Sequence, residues 1–133
     1  MSMSKRVLGL AAAAVLILGL AACVPTFPEE SELSIVIDGS VLLLEWEEPT
    51  VANPETEPLR DYAIYVDGVE ISRVDPIFVG CQLYGLDADT TYTIGVRAFD
   101  EANRGSEMLS AEILTEFSEE PFGEVECSTL PPL

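Results

Sequence analysis

Between residues 33 and 117 one pattern recurs: a short run rich in Val, Ile, Leu, Tyr and Thr, then a turn signal, at intervals of about ten residues. The runs lie at 34–37, 41–46, 62–66, 69–71, 77–83, 91–99 and 111–115, and none has a helical period. The pattern predicts an all-β fold, a seven-stranded antiparallel sandwich of two sheets. Asp67-Gly68, between two of the runs, predicts a tight hairpin, because a type I′ turn needs positive φ at both central residues. Alternation assigns the faces. Leu42, Leu44 and Trp46 point one way, and Tyr62, Ile64 and Val66, with Tyr92, Ile94, Val96 and Ala98, face them from other strands. Glu45, Thr93 and Arg97 fall on the solvated sides.

The flanks read differently. Lys5 and Arg6 precede an apolar run from Val7 to Ala22, shorter than the roughly 20 residues that span a bilayer as a helix. A charged start, a short apolar run and small residues before a cut form a secretory signal peptide pattern. Leu20-Ala21-Ala22-Cys23 further resembles the bacterial lipobox. That resemblance implies cleavage after residue 22, a diacylglycerol on Cys23, and a protein held by its lipid on the extracytoplasmic side of a cell membrane or outer membrane. Val24, rather than Asp, follows the Cys, which leans toward the outer membrane in a cell that has one. Residues 23–32 are then the lipidated Cys and a Pro-rich, acidic tether, with 24–30 spanning about 20 to 25 Å if extended. Residues 118–133 lose alternation and read as an acidic tail ending in Pro-Pro-Leu.

Removing residues 1–22 leaves four arginines, no lysine and all 24 acidic residues, a net charge of −20 against −18 for the full chain. Such a surface repels nucleic acid, so no nucleic-acid partner is expected. The chain has no His, the commonest general base and metal ligand. No Ser or Thr sits in a nucleophile-elbow pattern, and carboxylate pairs at this acid density read as a solvated face. The expectation is a non-enzyme with no catalytic residues, no metal and no cofactor.

Several motifs together resemble the fibronectin type III family. These are LEWEEP with Trp46, DYAIYVDG with Tyr62, LDADTTY from Leu86 to Tyr92, VRAFDEANRGS from Val96, and Thr115. The resemblance covers residues 33–117 and keeps the family's order. It implies that Trp46 and Tyr62 pack in the core, that Leu86 plugs its base, and that the Tyr92 hydroxyl bonds back to the backbone to pin a crossover between sheets. Ala88 replaces the usual Pro of that corner.

Weaker signals stand beside this one. Arg104-Gly105-Ser106 lacks the acid of an Arg-Gly-Asp motif, and the clusters Asp87, Asp89 and Asp100, Glu101 lack a calcium-loop pattern. Tyr65, Tyr84 and Phe99 are candidate sugar-stacking aromatics. With Cys23 lipidated, Cys81 and Cys127 remain as a candidate disulfide pair, although Cys81 also reads as a small buried hydrophobe. The expected function is a non-catalytic, lipid-anchored binding or display module on the bacterial envelope, its partner an envelope or extracellular protein. The alternative is an accessory subunit that positions a larger envelope complex. Strand order puts the 47–61 and 100–107 loops on the anchored side, and the tail is expected to leave from the far end, toward a partner.

Overall fold

A computed structural model describes residues 24–117, 119 and 123–129. Cys23 and the signal-like run therefore lie outside the described residues. Two four-stranded antiparallel sheets face each other, and no helix occurs among the described residues. The strands are β1 (Ser34–Asp38), β2 (Val41–Glu45), β3 (Leu59–Val66), β4 (Val69–Val74), β5 (Gly80–Tyr84), β6 (Thr91–Asp100), β7 (Leu109–Leu114) and β8 (Glu126–Ser128). One sheet runs β1-β2-β5-β8 and the other β4-β3-β6-β7. The first seven strands form a fibronectin type III-like sandwich, and β8 is an addition.

The alternation places the core as expected. Leu42, Leu44, Trp46, Tyr62, Ile64, Val66, Ile94, Val96 and Ala98 are all buried between the sheets, with Leu83, Leu86 and Cys81. Burying each of the larger aliphatic side chains contributes about 1.5 to 3 kcal/mol. Trp46 meets Tyr62 edge-on, ring centroids 5.0 Å apart at 66°. The Asp67-Gly68 turn has φ values of 52° and 84°, and the Asp67 carboxylate accepts the Thr93 N–H at 2.8 Å.

At the far end, Tyr92 and Thr115 hold the corner together. The Tyr92 hydroxyl accepts the Asp87 N–H at 3.0 Å. Thr115 is buried; its hydroxyl accepts the Thr90 N–H at 2.9 Å and lies 2.6 Å from the Asp87 carbonyl, to which it donates. Thr115, just past the end of β7, thus clamps the corner in which Ala88 stands.

Two flanking segments depart from the sequence reading. Residues 24–33, expected to be a free spacer up to 32, lie against the domain: Thr26 and Thr50 exchange backbone hydrogen bonds of 2.9 Å, Pro25 and Leu33 are buried, and Phe27 packs on the core. Apolar side chains at alternate positions, Pro25 and Phe27, outweigh the acidic composition around them.

The tail departs further. Having crossed from the end of β7, it returns as β8, antiparallel to β5, with Leu83 opposite Cys127 and Tyr84 opposite Glu126. The chain therefore heads back toward Gly80, at the end where β1 begins, and the expectation of a tail pointing outward is overturned. Gly85, at φ 86°, permits the crossing, since a side chain there would meet the Glu124 carbonyl at 2.6 Å. β8 also covers the β5 edge that a seven-stranded sandwich leaves open. From that edge the Cys127 N–H reaches Ser72 of β4 at 2.9 Å, tying the two sheets along one side.

Candidate functional site

Three of the four arginines after Cys23, Arg60, Arg73 and Arg97, gather on one face, and Arg104 lies in the loop after β6. Strands β3, β4 and β6 place Arg73, Ala63 and Arg97 side by side, and in the next outward row Asp61 lies opposite Phe99. Ala63 points outward yet is 0% exposed. Strand pairing puts a long arginine side chain on either side of this small residue, and their stems cover it. Three guanidinium groups surround the Phe99 ring, at 4.6 Å for Arg73, 4.9 Å for Arg97 and 5.9 Å for Arg60. Each cation over an aromatic face is worth about 0.5 to 1 kcal/mol when exposed.

Most of these charges are matched. Arg73 bonds Asp61 at 2.8 Å and Glu70 at 2.9 Å, and that contact holds the Glu70 carboxyl below its usual range. Arg60 reaches Asp61 at 3.3 Å and the Asn103 side-chain oxygen at 3.0 Å. Arg104 bonds Glu57 and, at 3.0 Å, Asp100, whose carboxylate also accepts the N–H groups of Ala102 and Arg104. The Arg-Gly-Ser turn is therefore an inward-tied corner, with Gly105 bridged to Phe99. Arg97 differs. Its Nε donates to the Ser106 carbonyl at 2.9 Å, and it has no carboxylate partner among the described residues. This face is close to neutral on a chain of strong negative charge, and Arg97 is its spare cation.

The other singled-out residues sit elsewhere. Trp46, Tyr62 and Leu86 are core residues, and Tyr92 is at the corner. The Tyr62 hydroxyl and the Trp46 indole nitrogen are buried without a hydrogen-bond partner among the described residues; their approach weighs on the phenol's acidity but falls short of hydrogen-bond geometry. Burial pushes the Tyr62 phenol up to about 12, slightly countered by Trp46. Cys81 and Cys127 are joined in a disulfide, Cα atoms 5.6 Å apart, linking β5 to β8. Of the candidate stacking aromatics, Phe99 is covered by arginines, and Tyr84 donates its hydroxyl to Gln82 at 2.7 Å. Among the described residues no cluster of His, Cys, Asp or Glu is arranged to hold a metal. The arginine face was missed in the sequence because Arg60, Arg73 and Arg97 are far apart along it. The outward alternation of Arg73, Arg97 and Phe99, with the strand order of the resembled family, is the signal that finds it.

No protein-family model matches the chain, and no curated protein matches it. Solved structures similar in fold include an enzyme and a fibronectin-III array. The Clostridium perfringens spore cortex lytic enzyme SleM superposes with a TM-score of 0.56 at 15% identity, over 69% of this chain and 29% of that one. The central fibronectin-III array of RIM-binding protein superposes with a TM-score of 0.55 at 19% identity, over 71% of this chain and 36% of that one. The chain thus spans about a third of either neighbour. These likenesses define a fibronectin type III-like β-sandwich, a class compatible with a non-enzyme.

Proposed function

We propose that this protein is a non-catalytic binding or display module of the bacterial cell envelope, anchored by a lipid on Cys23. The observation that supports it best is the Cys81–Cys127 disulfide. A disulfide persists in an oxidising compartment, which supports a place outside the cytoplasm. It also occupies both of the other cysteines, leaving Cys23 alone for acylation at the end of its lipobox-like sequence. Mass spectrometry of the membrane-extracted protein is expected to find an acylated Cys23 at the N-terminus. Cys23→Ala is expected to leave an uncleaved, unacylated precursor. An unmodified Cys23 at the mature N-terminus refutes the anchor.

The contact surface on this reading is the arginine and Phe99 face, and the partner is an envelope protein that offers a carboxylate to Arg97. Arginine and aromatic residues are enriched where proteins bind, and this near-neutral face is where a strongly acidic chain repels a partner least. Mild crosslinking on cells separates the two functional readings. A stoichiometric multi-protein assembly supports an accessory subunit, the arrangement for which the enzyme SleM, carrying a similar sandwich in part of its length, offers a parallel of fold. A single captured ligand supports the binding module. Arg97→Glu is expected to abolish capture in either case, and undiminished capture refutes the assignment of this face.

A further inference from the structure

The anchored end of the sandwich has its own exposed apolar surface. Thr26, three residues from Cys23, is locked to Thr50 by paired backbone hydrogen bonds, and its hydroxyl donates to the Val24 carbonyl at 3.1 Å. The neighbours of Thr50, Pro49 and Val51, line an open cleft with Pro54, Pro58, Pro76 and Ile77. Ile77 is 79% exposed at the crest of a loop fixed by Asp75, whose carboxylate accepts the Ile77 N–H at 3.1 Å and whose carbonyl accepts the Phe78 N–H at 3.1 Å. Val79, beside it, is also exposed. A large aliphatic residue held out by a rigid turn, at the end where the chain emerges, has no role in the core.

We propose that this end rests directly on the bilayer, with Ile77 and the rim of the cleft inserted among lipid headgroups beside the acyl chains on Cys23. The inference rests on the anchor proposed above. It follows from the docked segment beside Cys23: Pro25 is buried, Thr26 is bonded to Thr50, and consecutive Cα atoms are only about 3.8 Å apart, so a lipid on Cys23 leaves little slack for a standoff. Acyl chains supply the affinity, and the apolar rim supplies an orientation. Glu47, Glu48, Glu55 and Asp75 are exposed on the same loops, so the matching surface is one rich in zwitterionic headgroups.

The test uses the lipidated chain in phosphatidylcholine and phosphatidylethanolamine vesicles, with Ile77→Trp as the probe and Val69→Trp, 64% exposed beside the distal Asp67-Gly68 turn, as the control. Trp46 is buried and contributes a constant background. Ile77→Trp is expected to emit further to the blue than Val69→Trp, to escape iodide, and to be quenched by brominated lipid. Added phosphatidylglycerol is expected to weaken these signals. With Cys23 acylation verified by mass, iodide quenching of both probes alike, or equal quenching of both by brominated lipid, overturns the contact while leaving the anchor intact. An unmodified Cys23 overturns both.

Discussion

Removing the disulfide between β5 and β8 is the perturbation whose effect follows most directly from the chain. The bridge closes a loop with a sequence separation of 46 residues. Loop-closure entropy for that length gives about 4 kcal/mol of stabilisation at 25 °C, an upper figure if the reduced chain keeps some structure. For a domain of this size that corresponds to a fall in Tm of roughly 15 to 20 °C. A soluble form starting at Val24, with Cys81→Ala and Cys127→Ala together, is the variant, and urea unfolding followed by Trp46 fluorescence is the assay. The midpoint is expected to fall. Hydrogen exchange is expected to rise first in β8, whose pairing to β5 spans only Gln82, Leu83 and Tyr84. An unchanged midpoint refutes the reasoning. So do equal thiol counts in denatured samples with and without reductant, since they mean the two sulfurs are not joined.

The other predictions concern buried polar groups. Thr115→Val removes a buried hydroxyl that serves Thr90 and Asp87, and is expected to cost about 2 to 3 kcal/mol in chemical denaturation, because the corner groups it leaves are unsatisfied. Tyr62 predicts an alkaline transition. Its phenol ionises at 10.0 in the unfolded chain and at about 12 in the folded one, so its contribution is complete below pH 10 and lost as the pH rises toward 12. The loss amounts to about 2 to 3 kcal/mol across that window. Tyr62→Phe is expected to remove that slope in denaturation series across this pH range, and to keep or raise stability at pH 7, because the hydroxyl has no hydrogen-bond partner among the described residues.

What could be read from the sequence was local. The alternation of Leu42, Leu44 and Trp46 marks a half-buried strand on its own, and Asp67-Gly68 marks its turn without reference to anything distant. The strand β8 has no such mark: Glu-Cys-Ser is too short and too polar to alternate. It becomes a strand through three distant contacts, the disulfide to Cys81, the hydrogen bond to Ser72 and the crossing over Gly85. The tether misled for a related reason. Composition describes the average of a segment, whereas docking depends on Pro25, Phe27 and one backbone bridge to Thr50. The arginine face lies between these cases. Alternation sends Arg73 and Arg97 outward, but only the pairing of β4, β3 and β6 sets them on either side of Ala63.

Those two departures change how the molecule would be displayed. The described chain begins at the end of the sandwich where β1 and β3 start, and β8 carries it back toward that same end, so both flanks converge there. If Cys23 carries the proposed anchor, a partner reached through the tail would have to lie near the membrane, not out in the medium. The same holds for the arginine face. Phe99 pairs with Asp61, two residues into β3, which puts the guanidinium cluster on the half of the sheet nearest the end where β1 and β3 start. On the anchored reading, the face stands side-on to the bilayer and close to it. A protein held in the same membrane can approach it laterally, whereas a soluble ligand must enter between an acidic domain and the lipid surface. The expected crosslinked partner is therefore itself membrane-associated. Capture through Arg97 of a freely soluble protein, from cells with the anchor verified, would show that the domain tips away from its anchored end and that the orientation argued from Thr26, Thr50 and Ile77 does not hold.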